Sequence, residues 1–143
     1  MKTIFLSAPF FTHIENSITN NLIDFYNRYP VFKSENEIQI EIQKSYIKNN
    51  IQTAKKAARY LRDHDYNVFC PHTAIAGYCG DWSDDNPEQR HYILKMCEQW
   101  IIICDIFAQV PEWEKSDGCC FEYAIAQVHK KEIIYLTYGQ IGI

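Results

Sequence analysis

The chain alternates short apolar runs with longer stretches in which apolar residues recur every three or four positions. A short run bounded by turn residues is typical of a buried strand in a parallel sheet. Such runs occupy residues 3–8, 66–70, 106–110 and 132–137. Proline follows the first three directly and ends them. The pattern therefore predicts four strands distributed along the whole sequence.

Helical spacing marks most of the sequence between these runs. It predicts helices over about residues 14–28, 45–64 and 87–104, and another that follows the loop ending at Gly118. The helix at 87 has a strong start signal, because Asn86 is a capping residue and Pro87 suits the first helical position. Residues 37–43 alternate apolar and polar positions, which fits both an edge strand and the first turns of a long helix.

Strands that alternate with helices indicate a parallel sheet with right-handed crossovers. We expect an α/β protein with a three-layer, Rossmann- or flavodoxin-like fold and a parallel sheet of four to five strands. The 143 residues suffice for a single domain spanning 1–143. Ligands of such sheets bind at the carboxyl ends of the strands, which here precede Pro9, His72 and the loop from Pro111 to Gly118.

Composition narrows the function classes. Apolar residues make up 47% of the chain, charged residues 22%, and the formal net charge is −4, which indicates a globular protein without the basic surface of a duplex-binding protein. No stretch approaches the roughly 18 apolar residues of a membrane span, and the short apolar N-terminus is a poor secretion signal. We expect a cytoplasmic protein that binds neither nucleic acid duplexes nor membranes.

The six cysteines lie mostly within apolar runs, where free thiols behave as small hydrophobic residues. We therefore expect free thiols in a reducing compartment. Cys70 and His72, with Cys79, lack the paired spacing of a zinc site, so neither a metal nor a cofactor is expected. Cys119 and Cys120 begin a helix, where a reactive thiolate is one reading and one inward-packed thiol beside an incidental one is the other.

The segment from Ser116 to Glu122 is the main candidate site. Ser116 or Asp117 can cap the helix, Gly118 permits close backbone approach, and the helix N-terminus offers unpaired N–H groups. Glu122 lies about 6 Å along the helix axis from Gly118, which suits a ribose with its 5′ end at the helix start and C1′ near the carboxylate. A carboxylate can attack an anomeric carbon. Capping residues and early helical glutamates are also common for purely structural reasons.

Several motifs occur here in the order typical of one superfamily. They are Ser7-Ala8-Pro9 after the first strand, Asn50 before Ala54, Ala57 and Leu61, Pro71-His72, Asn86-Pro87-Glu88 before Arg90, and Trp113-Glu114-Lys115-Ser116-Asp117-Gly118 followed by Glu122 and Ala126. Together they resemble the nucleoside 2-deoxyribosyltransferase superfamily over nearly the whole chain. The segment from residue 10 to residue 45 is longer than is usual in that superfamily, so we expect it to contain an insertion.

The resemblance implies roles for particular residues. The glutamate that matches Glu122 is the nucleophile that cleaves the N-glycosidic bond. A serine at the place of Ser116 is typical of hydrolases acting on 5′-monophosphates, whereas transferases acting on nucleosides carry an acid there. Asp117 would repel such a phosphate if it pointed inward. The superfamily's acid/base aspartate is missing near Cys97, where Glu98 is the candidate substitute.

Other candidates line the same rim. Ser7, Pro9, His72 and Arg90 are expected to contribute to a substrate pocket, and Trp113 is placed to stack on a nucleobase. Each also has a plain structural reading: a loop histidine with a local hydrogen bond, a solvated arginine, a tryptophan that covers a loop.

Three functional hypotheses follow. The first is cleavage of an N-glycosidic bond by a Glu122 nucleophile, either hydrolysis of a (deoxy)nucleoside 5′-monophosphate or deoxyribosyl transfer. The second is a non-catalytic protein that binds a nucleotide or nucleotide signal. The third is an interaction module that pairs the Ile38-Ile40-Ile42 segment across subunits. The resemblance implies a homodimer or higher homo-oligomer in the first two cases.

Overall fold

The computed structural model describes residues 1–9, 34–74 and 87–143, together with Asp24, Asn27 and Arg28. The predicted helix over 14–28 lies mainly outside these residues, although the three isolated ones are helical. No helix in the described part of the chain is long and apolar enough to cross a membrane.

Four parallel strands form the sheet, in the order β2-β1-β3-β4. They are β1 (Thr3–Ser7), β2 (Asn67–Phe69), β3 (Ile106–Gln109) and β4 (Glu132–Tyr135). The helices are α1 (Glu35–Asp63), α2 (Pro71–Ala74), α3 (Pro87–Ile103), α4 (Asp117–Val128) and α5 (Tyr138–Ile141), with a 3-10 turn at Trp113–Lys115. The predicted α/β fold with a parallel sheet of four to five strands is confirmed, with four strands in the described part of the chain.

Helices cover both faces of the sheet, which gives three layers. Side chains alternate along each strand, so Ile4 and Leu6 point to one face and Phe5 to the other. The first face packs against α1 and α5 through Ala54, Ala58, Leu61 and Ile141. The second packs against α3 and α4 through Ile93, Cys97, Ile101 and Ala126. Each face thus has its own apolar core.

An aromatic row crosses the sheet on the face covered by α3 and α4. Phe5 is in register with Phe69 on one side and Phe107 on the other. Its ring stacks on both, with centroids 5.7 Å from Phe69 and 5.8 Å from Phe107. Trp100 of α3 stacks on Phe69 at 4.2 Å. These contacts fix the strands laterally just below their carboxyl ends.

Residues 37–43 belong to α1 and not to a strand. Ser34 caps this helix, because its Oγ accepts a hydrogen bond from the backbone N–H of Glu37 at 3.3 Å. Ile38 is buried, whereas Ile40 is 46% exposed. The edge-strand reading is therefore wrong, and with it the pairing of this segment across subunits as a strand, because the cap and the helical stripe that follows outweigh the local alternation.

Two further differences concern loops. Pro71–Ala74 is a short helix where we expected only a loop, while residues 75–86, with Asn86 as the proposed cap, lie outside the described residues. Gly118 belongs to the first turn of α4, so the loop after β3 is shorter than predicted. A proline at the first position starts α2 in the same way as α3, a signal that the sequence contains at both places.

Candidate active site at the carboxyl edge of the sheet

Polar residues replace the aromatic row two positions further along the strands. Ser7 ends β1, Gln109 ends β3 and Tyr135 ends β4, and the three are in register as neighbours. Alternation places their side chains on the same face as Phe5 and Phe107, beneath α3 and α4. Ser7 and Gln109 are both fully buried. This polar row is the floor of the candidate site.

The chain then turns sharply into α4. Glu112 adopts a left-handed conformation with φ 63° and ψ 22°, which directs the chain from Pro111 into the 3-10 turn. Its carboxylate accepts a hydrogen bond from Lys115 Nζ at 2.7 Å, and chiefly this bond lowers the Glu112 pKa. The turn delivers Ser116 to the start of the helix, which explains how a short loop positions α4 over the sheet edge.

Ser116 is the N-cap of α4, so of the two capping candidates in the sequence, Ser116 and Asp117, the first takes the position. Its Oγ accepts a hydrogen bond from the backbone N–H of Cys119 at 3.3 Å, and its side chain is buried. A hydroxyl that accepts one bond can also donate its proton, and the Cys119 thiol is one partner within reach of Ser116. Asp117 is exposed, and a Cβ added at Gly118 would approach nothing closer than Ser116 Oγ at 3.8 Å. Protein packing therefore does not require a glycine there.

Glu122 faces inward from α4. Cys119, Glu122 and Ala126 are the buried residues of this helix, three and four positions apart, and so line the side that contacts the sheet. The Glu122 side chain is 7% exposed, and its Oε1 accepts a hydrogen bond from Ser7 Oγ at 2.8 Å. A ligand therefore reaches this carboxylate only when neighbouring side chains move.

Burial changes the acidity of Glu122. Loss of hydration disfavours the charged form and raises the Glu122 pKa to about 7, while hydrogen bonds from Ser7 and then Cys97 act in the opposite direction. The carboxyl group consequently titrates near neutral pH. A carboxyl group with this pKa serves either as a nucleophile in its ionised form or as an acid in its protonated form.

Cys97 is the residue of α3 that contacts Glu122. Its thiol donates a hydrogen bond to the carboxylate, and burial, followed by the nearby charge of Glu122, raises the Cys97 pKa far above its usual range. Cys97 occupies the helix position where the resemblance led us to look for an aspartate, but a thiol held protonated in this way does not exchange protons at neutral pH. Glu98, the proposed substitute, is the next residue and only partly buried, and its acid/base role stays a prediction.

The two cysteines that begin α4 differ, as the second reading of the sequence proposed. Cys119 is buried, and loss of hydration raises its pKa to about 12, so it is not a reactive thiolate. Cys120 is exposed, with its Sγ 3.6 Å from the carbonyl oxygen of Glu114. None of the five cysteines in the described ranges forms a disulfide, and those ranges contain no cluster of metal-ligating side chains.

His72 and Pro9 lie together at the same edge. The Nε2–H of His72 donates to the carbonyl oxygen of Pro9, with 2.7 Å between the two heavy atoms, because a carbonyl can only accept. Burial lowers the His72 pKa, which keeps the imidazole neutral at neutral pH. The contact ties the end of β1 to α2 through a neutral histidine.

Aromatic side chains border the other end of the polar row. Trp113 is half-buried and packs against Tyr123 with ring centroids 4.6 Å apart. The hydroxyls of Tyr123 and Tyr135 lie 3.0 Å apart in a hydrogen bond. Trp113 is therefore supported by α4 and β4 next to the helix start.

Arg90 lies in the first turn of α3, and its side chain is outside the described set.

Sequence reasoning did not predict that Gln109 and the thiol of Cys97 belong to this site. Gln109 is a polar residue within an otherwise apolar strand run, and this interruption was the available signal. The resemblance drew attention to the position of Cys97 because an aspartate is missing there, but the thiol itself lies on the apolar stripe of its helix, and the sequence does not show its contact with Glu122. Only the packing of α3 against α4 brings the two together.

A parallel sheet between two layers of helices defines a three-layer α/β protein, and the buried Glu122 carboxyl group lies at the carboxyl edge of that sheet. The 2-deoxyribosyltransferase from the psychrotolerant bacterium Bacillus psychrosaccharolyticus has a similar fold, with a TM-score of 0.55 over 93% of this chain and 70% of that chain at 16% sequence identity. At this identity the likeness establishes a shared fold. The relationship that the motifs indicated is confirmed to that extent.

Residues 44–135 match the family described as "Domain of unknown function (DUF4406)". The match covers more than half of the chain, so the protein belongs to that family. No curated protein matches the sequence. The matched range includes β2, α3, β3 and α4, and hence Cys97, Gln109, Ser116 and Glu122.

Proposed function

We propose that this protein cleaves the N-glycosidic bond of a nucleotide or nucleoside, with Glu122 as the nucleophile. The observation that carries the proposal is the buried Glu122 carboxyl group, which Ser7 and Cys97 hold at the carboxyl edge of the sheet with a pKa near 7. It supports this activity because the fold is similar to that of a 2-deoxyribosyltransferase. Substrate class and reaction both belong to the proposal.

The proposed reaction has two displacement steps. The Glu122 carboxylate attacks C1′ while the bond to the base breaks; the bonding electrons leave with the base, which takes up a proton. Water, or the nitrogen of a second base, then displaces the carboxylate from C1′ and loses a proton. Ser7 and Cys97 hold one carboxylate orientation throughout. Glu98 is the residue proposed to supply the proton to the departing base.

The 5′ end of the substrate is proposed to lie at the start of α4. Backbone N–H groups there and the proton of Ser116 can donate to a phosphate, which favours a 5′-monophosphate over a free nucleoside. Asp117 is exposed, and where it faces solvent its charge is screened from that phosphate. Trp113, supported by Tyr123, is the proposed surface for the base.

The test is release of free base. Wild-type protein is incubated with purine and pyrimidine 5′-monophosphates and nucleosides, in ribo and 2′-deoxy forms, and the free base is measured by chromatography. We expect release from at least one monophosphate and none from Glu122→Gln. The matched control is Glu132→Gln, because Glu132 is an exposed carboxylate at the opposite end of β4. No release by wild type, or full release by Glu122→Gln, would remove the enzymatic claim.

The phosphate preference has its own test. Serine and aspartate both cap helices well, so Ser116→Asp retains a cap for α4 while it adds a negative charge at the helix start. We expect this variant to lose activity on 5′-monophosphates by roughly 10- to 100-fold relative to the matching nucleosides, as like charges meet. An unchanged ratio of the two activities would place the 5′ end elsewhere.

A second candidate function is binding of a nucleotide without turnover. The contact between Cys97 and Glu122 favours this function. Acid/base chemistry beside Glu122 would need a group that exchanges protons near neutral pH, and the Cys97 thiol stays protonated there. Calorimetry with the same panel, followed by mass spectrometry of the recovered ligand, separates the two functions. Intact ligand after tight binding supports this candidate, and detectable base release excludes it.

A homodimer or higher homo-oligomer is part of the proposal through the resemblance. Sedimentation velocity at micromolar concentration tests it directly. A monomer that releases base would show that one chain holds the complete site.

A further inference from the structure

Gln109 has an unusual environment for a glutamine. Its side chain is fully buried, and neither Oε1 nor Nε2 has a hydrogen-bond partner within the described structure. Buried amides are nearly always paired, because an unpaired donor and acceptor lose their bonds to water without compensation. A buried amide without partners destabilises the folded protein, so a residue of this kind at the end of a strand is a candidate for ligand binding.

The sheet register places Gln109 beside the proposed nucleophile. Gln109 pairs with Ser7 across the β1–β3 ladder, at an interstrand spacing of about 4.8 Å. Both side chains point to the face covered by α4, and the Ser7 hydroxyl contacts Glu122 there. The amide and the carboxylate therefore lie close together on the same face of the sheet, beneath α4.

The stereochemistry of glycosidic cleavage decides which part of a substrate would enter that space. A nucleophile attacks C1′ on the side opposite to the departing base. In a β-nucleoside that side carries the 2′- and 3′-hydroxyls. A group beside Glu122 thus faces the hydroxyls of the sugar and not the base.

The two ends of the amide differ in what they need. Nε2 donates and Oε1 accepts, so a phosphate, which only accepts at neutral pH, satisfies one end alone. Of two neighbouring hydroxyls, one can accept a hydrogen bond from Nε2 while the other donates a hydrogen bond to Oε1. Ribose offers such a pair on this side, whereas 2-deoxyribose offers a single hydroxyl.

We propose that Gln109 binds the 2′,3′-diol of a ribose and makes the site selective for ribonucleotides over 2′-deoxyribonucleotides. This inference rests on the proposed function for the position of the sugar. It goes beyond that function in naming the sugar and the residue that selects it. Gln109 is then a specificity-determining residue, while Glu122 performs the chemistry.

The experiment compares ribose 5-phosphate with 2-deoxyribose 5-phosphate, which carry no base and need no cleavage. Calorimetry measures their binding to wild type, to Gln109→Met and to the control Gln127→Met, which makes the same change at an exposed position of α4. We expect wild type and the control to bind ribose 5-phosphate roughly 10- to 100-fold more tightly, for one or two hydrogen bonds. Gln109→Met should reduce this ratio to about 1, mainly by weaker binding of ribose 5-phosphate.

Thermal unfolding distinguishes binding from a structural role. Methionine fills a similar volume without an amide that needs partners, so Gln109→Met should keep or raise the melting temperature of the ligand-free protein. A structural hydrogen bond at Gln109 would instead make the variant less stable. The signature of the proposal is thus a loss of sugar selectivity without a loss of stability.

The outcomes separate this inference from the proposed function. Base release by wild type with an equal preference for both sugars, or a ratio unchanged in Gln109→Met, overturns the role of Gln109 and leaves the glycosidase proposal intact. Selective binding of ribose 5-phosphate that depends on Gln109, without base release from any nucleotide, supports Gln109 and removes the glycosidase. Failure of wild type to bind either sugar phosphate overturns the assignment of this space to a sugar. A variant that changes base preference alone overturns it as well.

Discussion

Two rows of side chains cross the same face of the sheet two residues apart, and they contrast in every physical respect. The aromatic row of Phe69, Phe5 and Phe107 is apolar and closely stacked. The polar row of Ser7, Gln109 and Tyr135 holds a carboxylate above it and contains an amide without partners among the described residues. Both rows are covered by the same helices. The comparison indicates that stability comes from the first row and that the second keeps polar groups at a cost in stability.

The largest expected effect concerns the aromatic row. Phe5→Ala removes a fully buried ring that stacks on two others, so we expect a loss of roughly 3–5 kcal/mol in the free energy of unfolding. Urea denaturation measures it. The control Phe121→Ala removes the same ring from a position that is 42% exposed and should cost far less. Similar losses in the two variants would contradict the assignment of the core to this row.

For the Glu122 carboxyl group above the polar row, the substitution Glu122→Gln should stabilise the protein by an amount that depends on pH. The Glu122 pKa is about 7 in the folded protein against 4.5 for an unperturbed glutamate, so folding holds the proton more tightly. The contribution of this carboxyl group to stability is complete below pH 4.5 and is lost as pH rises to about 7. Glutamine does not titrate.

The advantage of Glu122→Gln should therefore grow from near zero at pH 4.5 to roughly 2–3 kcal/mol above pH 7. Unfolding free energies of both proteins across this range measure it. A difference that stays constant with pH would show that the Glu122 pKa is not raised.

A smaller effect is expected from the hydroxyl that contacts Glu122. Ser7→Ala removes a hydrogen bond that favours the ionised carboxylate, so the Glu122 pKa should rise further, by up to about one unit. The carboxyl carbon of labelled glutamate, followed by NMR against pH, reports this without any substrate. Ser45→Ala, at an exposed position of α1, is the matched control. A downward shift or no shift would exclude Ser7 as the donor.

The smallest effect should come from Cys97. Cys97→Ser keeps the shape of the side chain but supplies a stronger donor, so the Glu122 pKa should fall by a few tenths of a unit, opposite in sign to Ser7→Ala. The same NMR titration measures it. Cys104→Ser changes another buried thiol that does not affect Glu122, and it should leave the titration unchanged. Equal shifts in both variants would indicate a general effect of core substitution.

The sequence by itself determined the order of elements and the start of the site. Apolar runs predicted all four strands, and the capping pattern at Ser116 predicted the beginning of α4, because these signals are local and recur with fixed periods. Spacing alone did not distinguish Glu122 from an ordinary helical glutamate; the resemblance singled it out, and its role as a nucleophile stays a prediction. The local alternation at 37–43 left helix and strand open, since seven residues fit both periods. In the structure the segment is helical, because the Ser34 cap and the helical stripe that follows outweigh the alternation.

Only the tertiary structure decided the chemistry of the site. The Glu122 pKa depends on burial and on donors from β1 and α3, which are 115 and 25 positions away along the chain. The partnerless amide of Gln109 depends on what packs around it, which a strand pattern does not contain. Periodicity reports which side of an element is buried. The residues that contact the buried side are determined by the packing of elements distant in sequence. The hydration, charge and hydrogen bonding of a side chain follow from that packing.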